Sequence, residues 1–87
     1  MFHVELTPRA AGELDRLPKH VQRRIIRWLE LLADDPRRAR AVKLAGQAGL
    51  YRVHASKDYV IIYTIVQARL LVLVVRVANR KEAYRNL

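Results

Sequence analysis

The stretch LLVLVVRVA, residues 70–78, decides the fold of this chain. A strand that is apolar on both faces is typical of the centre of a sheet, with helices over one face and a partner or another segment over part of the second. Two further extended runs, residues 50–55 and 59–66, precede it. The short connections at residues 56–58 and 67–69 predict that the three runs form consecutive antiparallel hairpins.

The N-terminal half of the chain predicts a strand followed by a helical hairpin. Apolar and polar residues alternate over residues 2–6, which is the period of a half-buried strand. A threonine followed by Pro8 is typical of a helix start, so we expect the first helix over residues 8–17. Pro18 begins a second helix, which ends before Pro36. We therefore predict an α+β fold in a single domain of 87 residues: an N-terminal strand, a two-helix hairpin, an antiparallel three-stranded meander and a short C-terminal helix.

The positive charge of the chain is concentrated in its second part. Lys and Arg number 17 against 8 Asp and Glu, which gives a formal net charge of +9. Residues 1–35 hold six of each sign, so residues 36–87, with eleven cations and two acidic residues, carry the whole excess. A segregated excess of cations predicts a polyanion ligand or an acidic protein partner. Charge alone leaves RNA, DNA and an acidic protein segment open.

Several classes of protein are disfavoured by what the sequence lacks. It has no cysteine, which excludes a disulfide framework and thiolate-bound zinc. The longest aliphatic run, residues 70–75, is far shorter than a membrane span, and the N-terminus has no basic region followed by an apolar one. His-x-x-x-His, an acidic cluster in the basic half and a glycine-rich phosphate loop are also missing. We therefore expect a soluble, unexported cytoplasmic protein with neither metal nor cofactor.

Two polar pairs in the basic half could carry chemistry. Arg52 and His54 are two residues apart on a predicted strand, so both project from the same face. Histidine can exchange a proton near neutral pH, and arginine offers a planar fork that matches phosphate oxygens. If the C-terminal tail is helical, Arg80 and Tyr84 lie one turn apart on one face. Each pair also has a simpler interpretation: a solvated strand face for the first, and a capping helix with arginine packed on tyrosine for the second.

Four short motifs in this order resemble the RelE/ParE superfamily of toxins from type II toxin-antitoxin pairs. They are KLAG at residues 43–46, GLYRV at 49–53, DYVIIY at 58–63 and RKEAYR at 80–85. The resemblance extends over nearly the whole chain. It is greater to the RelE branch than to the ParE branch, because the terminal arginine and tyrosine are both present.

The resemblance implies a compact domain that cleaves messenger RNA at the ribosomal A site without a metal. RNA supplies its own nucleophile, the 2′-hydroxyl, so the enzyme need only move protons and stabilise the charge on the phosphorane. We expect Arg52 and Arg80 to grip the phosphate and His54 to carry a proton. Tyr84 would either stack on a base or carry the second proton. Five further cations are expected to bind RNA: Lys43, Lys57, Arg76, Lys81 and Arg85.

The same resemblance implies the partners of the protein. A cognate antitoxin would silence it by wrapping an acidic or amphipathic segment around the basic half, and a disordered chain that folds on binding suits that task. Ribosome-bound mRNA would be the substrate. Operator DNA would be reached only indirectly, through the antitoxin, and no membrane would be involved.

Two departures from the family pattern keep other functions open. Val60 stands where the family has an arginine after Asp-Tyr, and Ala78-Asn79 stands where Gly-His or Gly-Lys is commoner. The first change removes a cation from the expected site, and the second removes a cation or a proton carrier but retains a polar side chain. One alternative is therefore a non-cleaving toxin that acts on a protein target such as a topoisomerase. The other is a degenerate module that only binds an antitoxin and so regulates an operator.

Overall fold

The chain folds into a five-stranded sheet with two helices on one face. The computed structural model describes residues 1–38 and 40–85. The elements follow one another as β1 (His3–Leu6), α1 (Pro8–Asp15), α2 (Lys19–Asp34), β2 (Val42–Lys43), β3 (Leu50–His54), β4 (Tyr59–Val66), a single turn of 3₁₀-helix (Gln67–Arg69) and β5 (Leu71–Asn79).

The apolar strand β5 lies inside the sheet, whose strand order is β1-β5-β4-β3-β2. Strands β3, β4 and β5 form the predicted antiparallel meander. The predicted central position of β5 is confirmed because β5 lies between β4 and β1. Strand β1 pairs with β5 in parallel, with His3 opposite Leu71 and Leu6 opposite Val74. Strand β2 adds an outer antiparallel strand beside β3. The sheet therefore has more strands than the predicted meander, because its two outer pairings depend on contacts between distant parts of the sequence.

Both helices pack on the same side of the sheet, here called the helix-covered face. Thr7 starts α1, since its Oγ1 accepts a hydrogen bond from the N–H of Ala10 at 3.2 Å. The first helix ends at Asp15, two residues before the predicted end, and α2 begins at Lys19. Among the described residues, neither helix has the length and apolar character that crossing a membrane requires. The core between helices and sheet is built mainly from Ala10, Ile25, Leu29, Leu32, Val53, Ile61, Tyr63, Val72, Val74 and Val77.

A β-bulge in β5 changes which face its last residues point to. Ile62 is paired with Arg76 but Tyr63 is paired with Val74, so Val75 is an extra residue on the β5 side. Tyr63 and Val74 point to the helix-covered face. Because of the extra residue, Arg76 shares the opposite face with Ile62 instead of following Val74.

The C-terminal tail is a turn, and the prediction of a C-terminal helix is wrong for the described residues. Residues 80–85 follow β5 as turns. The carbonyl of Asn79 accepts hydrogen bonds from the N–H groups of both Glu82 and Ala83, at 2.8 and 2.9 Å. The Asn79 side chain also accepts from the N–H of Lys81 at 2.9 Å. One asparagine therefore organises a single turn, and residues 86–87 lie outside the described part of the chain.

Candidate active site

The face of the sheet opposite the helices, here called the open face, has a small apolar centre. Val60, Ile62 and Ala78 are buried there, and Ala83 of the C-terminal tail packs on them. In the register of the sheet His54 lies opposite Val60, and Arg52 lies opposite Ile62. Directly opposed residues share a face. The two polar side chains of β3 therefore border this apolar centre, as their spacing in the sequence predicts.

Arg80 joins Arg52 and His54 at the same border. The N–H of Arg80 donates to the carbonyl of Asp58 at 2.8 Å, which ties the end of β5 to the turn between β3 and β4. The pKa of His54 is lowered from its ordinary 6.5 by partial burial and by the charges of Arg52 and Arg80. Both guanidinium groups are therefore close enough to act on the imidazole. The neutral form of His54, which can accept a proton, is therefore favoured.

Tyr84 directly follows a residue that is buried in this apolar centre. Ala83 is fully buried in the apolar centre, whereas the Tyr84 side chain is 44% exposed. The backbone on either side of Tyr84 is fixed, since the carbonyls of Ala83 and Arg85 accept hydrogen bonds from Arg76 Nη1 at 3.4 and 3.0 Å. Tyr84 is thus accessible from solvent, on a stretch of backbone that is held in place.

The departure at residue 60 has a structural counterpart. Val60 is fully buried and paired with His54 on one side and Ala78 on the other. Its methyl groups form part of the floor on which Ala83 packs. The position at which the family has an arginine is therefore closed off by the tail in this chain.

One of the five predicted RNA-binding cations requires correction, and a second lies on the other face of the sheet. Arg76 is only 5% exposed, with its guanidinium bonded to Glu13 and to tail carbonyls, so the prediction that it contacts RNA is wrong. Lys43 is exposed but is paired with Tyr51, which packs against the core of the helix-covered face. Its register therefore puts Lys43 on the face opposite Arg52. The other three, Lys57, Lys81 and Arg85, are exposed, and their role stays a prediction.

A basic cleft that the sequence did not predict adjoins the candidate site. It runs between α2 and the turn after β3, and His54 and Lys57 belong to its lining. Among the described residues, ion pairs form only around Glu13, so the arginines of the cleft have no acidic partner there. The sequence does contain a run of arginines outside the apolar stripe of α2. Such a run does not by itself predict a function. The cleft is lined by Arg24, Arg27, Trp28, Leu31, Arg40, His54, Ala55, Ser56 and Lys57.

The chemistry available at this site is that of cations and a neutral base. Two arginines can bind and stabilise a phosphate that gains negative charge, and a neutral imidazole beside them can take up a proton. No group of three or more His, Asp or Glu side chains that could hold a metal ion is found within residues 1–38 and 40–85.

The sequence and the fold are both similar to those of toxins. The sequence model described as "ParE toxin of type II toxin-antitoxin system, parDE" matches residues 4–84. The sequence has no significant match among curated proteins. The structure is similar to RelE in the archaeal RelE-RelB complex from Pyrococcus horikoshii, with 25% identity, a TM-score of 0.77 and coverage of 94% of this chain and 98% of that one.

Two further solved structures have the same fold at lower identity. One is the intact RelBE toxin-antitoxin complex of E. coli, at 23% identity, a TM-score of 0.79 and coverage of 91% and 96%. The other is the YoeB/ParE toxin from Agrobacterium tumefaciens, at 13% identity, a TM-score of 0.80 and coverage of 92% and 99%. At these identities the likeness concerns the fold.

Proposed function

We propose that this chain, which belongs to the ParE toxin family of type II toxin-antitoxin systems, is a metal-independent endoribonuclease that cleaves ribosome-bound mRNA. The family match confirms the RelE/ParE superfamily predicted from the motifs, and the RelE-like branch stays a prediction. The observation that carries the proposal is the register that puts Arg52 and His54 on the open face, with Arg80 close enough to lower the pKa of His54. Cleavage of a phosphodiester by the neighbouring 2′-hydroxyl requires this combination of charge and proton acceptor.

The proposed reaction uses the ribose as nucleophile. His54 takes the proton of the 2′-hydroxyl, the 2′-oxygen attacks the neighbouring phosphorus, and the bond from phosphorus to the 5′-oxygen breaks. Arg52 and Arg80 stabilise the additional negative charge of the phosphorane. Tyr84 either gives a proton to the departing 5′-oxygen or stacks on a base. A Tyr84→Phe variant separates these two roles, because it keeps the ring and loses the proton.

The basic cleft gives the RNA a path away from the reacting phosphate. His54 belongs both to the candidate site and to the lining of the cleft, so the two surfaces are continuous. Arg24, Arg27 and Lys57 are exposed there and would neutralise successive backbone phosphates. Lys81 and Arg85 are exposed on the tail and would add contacts on the other side of the site. Binding along this path would weaken as salt increases.

A cognate antitoxin is the proposed protein partner. The relatives from E. coli and P. horikoshii were solved as complexes of RelE with RelB. We expect an acidic or amphipathic antitoxin segment here, since it would neutralise the cations of the open face and exclude RNA from them. Toxin and antitoxin would act in the cytoplasm, and operator DNA would be bound through the antitoxin. Expression of the toxin alone is expected to stop growth, and co-expression with the antitoxin should restore it.

The decisive experiment compares Arg80→Ala with a matched arginine variant. Purified protein is added to translating ribosomes, and primer extension on a reporter transcript measures the cleavage rate. Removing a charge-stabilising donor should lower this rate by about a hundredfold or more without altering thermal unfolding. Arg69→Ala is the control, because Arg69 is exposed in the connection before β5, at the opposite end of that strand from Arg80. Equal cleavage by the Arg80→Ala variant and the wild type contradicts the proposal.

One observation favours a second candidate, a toxin that acts on a protein target. With Val60 buried beneath the tail, the open face holds one cation fewer than the family pattern implies. Labelled amino acid and nucleotide incorporation after induction separates the candidates. The endoribonuclease stops translation first and leaves cut transcripts, whereas a topoisomerase poison stops DNA replication first. A protein that only binds an antitoxin would affect neither.

A further inference from the structure

Arg76 connects helix α1 to the C-terminal tail through the interior of the protein. Strand β1 covers the edge of β5 only as far as Val74. Beyond that residue the carboxylate of Glu13, on α1, occupies the edge. It accepts a hydrogen bond from the N–H of Val77 at 2.9 Å and another from Arg76 Nε at 2.8 Å. The carboxylate therefore replaces the missing strand for one residue and at the same time pairs with a buried charge.

The other end of the same guanidinium holds the tail. Arg76 Nη1 donates to the carbonyls of Glu82 and Ala83, both at 3.4 Å, and of Arg85 at 3.0 Å. These carbonyls belong to the last turn of the described chain, in which the Glu82 carbonyl also accepts from the N–H of Arg85 at 3.1 Å. A planar guanidinium can donate hydrogen bonds to a carboxylate and to several carbonyls at once. The ammonium of a lysine is a point charge and lacks this planar arrangement of donors.

The two ends of the tail are anchored independently. Arg80 is held at the start of the tail by its own bond to the carbonyl of Asp58, and Lys81 by the Asn79 side chain. Tyr84 lies between two carbonyls that Arg76 binds. Loss of Arg76 should therefore loosen the position of Tyr84 and leave that of Arg80 unchanged.

We propose that Glu13 and Arg76 are positioning residues, which fix the backbone on either side of Tyr84 by tying the last turn of the tail to α1. The inference that this affects cleavage rests on the proposed function, but the anchoring of the tail does not. Neither residue touches the open surface itself. Both act through the backbone on either side of Tyr84.

The first test measures anchoring without any assay of activity. In the double variant Glu13→Gln/Arg76→Met no buried charge is left unpaired, and the amide oxygen introduced at position 13 can still accept from the N–H of Val77, so the core should stay folded. Hydrogen exchange followed by NMR should show the amides of Ala83 and Arg85 exchanging about tenfold faster or more, with the amides of β4 unchanged. Arg76→Lys should not restore protection.

Arg9→Gln is the matched control, because Arg9 also approaches Glu13, at 4.0 Å, but from the solvent side. Its tail amides should exchange as in the wild type. Wild-type protection of Ala83 and Arg85 in the double variant overturns the proposal. So does an equal loss of protection in β4 and the tail, since that would make the pair a general element of stability.

The second test connects the anchor to the reaction. The double variant should lower kcat as far as Tyr84→Ala does, although Arg52 and Arg80 keep their own supports. Adding Tyr84→Ala to the double variant should cause no further loss. A loosened tail with unchanged kcat overturns the positioning role. If the wild type does not cleave, the proposed function fails, and the exchange measurement still decides whether Glu13 and Arg76 anchor the tail.

Discussion

The two faces of the sheet are closed in different ways. The helix-covered face is sealed by α1 and α2 over large aliphatic side chains such as Ile25, Leu32 and Ile61. The open face buries a much smaller apolar set and is covered by one turn of the tail, whose Ala83 is the main apolar contact. The turn is otherwise held by polar bonds to Arg76 and Asn79. The helix-covered face therefore contributes most of the stability of the fold, and the open face can carry function.

The distribution of charge follows the same division. Buried residues of the helix-covered core are apolar apart from the phenol of Tyr63. The open face instead has Arg52, His54 and Arg80 around its apolar centre. Cations near a low-dielectric surface act more strongly on a bound anion than cations in water do. A small apolar centre thus strengthens the electrostatic effect of its border.

The largest difference should appear when one residue is truncated on each face. Leu32→Ala removes a fully buried side chain under the helices and should cost about 2–5 kcal/mol in the free energy of unfolding. Arg52→Ala on the open face should change it by no more than about 0.5 kcal/mol, although it removes most cleavage. Urea unfolding followed by circular dichroism measures both. Similar losses in the two variants would contradict the division of roles.

An intermediate effect is expected from restoring the arginine of the family pattern. The motif suggests that Val60→Arg could increase cleavage, but Val60 is fully buried beneath Ala83. An arginine there can reach solvent only by displacing the tail. We expect a cost of at least about 1–3 kcal/mol, faster exchange of the tail amides, and less cleavage.

Val60→Ile is the matched control for the arginine variant, because it keeps an aliphatic floor beneath Ala83. It should retain tail protection and cleavage. A Val60→Arg variant that cleaves faster than the wild type while its tail amides stay protected would show that the open face accommodates the additional cation without moving the tail.

The smallest effect concerns the protonation of His54. NMR titration should give this imidazole a pKa below the ordinary 6.5, because partial burial and the charges of Arg52 and Arg80 disfavour the protonated form. Arg80→Gln removes one of these charges and should raise the pKa of His54, whereas Arg69→Gln should not. If neutral His54 is the base, the cleavage rate rises with pH through this lowered pKa and is level at neutral pH. A rate that falls over that range would give His54 the opposite role, as an acid.

Some parts of the site could be predicted from the sequence, because they depend on local spacing. Residues two apart on a strand share a face, which correctly put Arg52 and His54 together. The position of Arg80 at the end of the central strand brought it to the same border. The roles of these residues and of Tyr84 stay predictions. Arg24 and Arg40 could not be assigned to a cleft, since α2 and the chain before β2 meet only in the folded protein.

The sequence by itself determined the family, the order of the elements and the central place of β5, since these follow from motifs and from periodicities within a few residues. Only the tertiary structure decided that β1 joins β5 in parallel and that a bulge at Val75 turns Arg76 toward the tail. It also decided that Lys43 lies on the face opposite Arg52. The physical reason is that strand register and bulges are set by pairing between distant segments, and a shift of one residue moves a side chain to the other face.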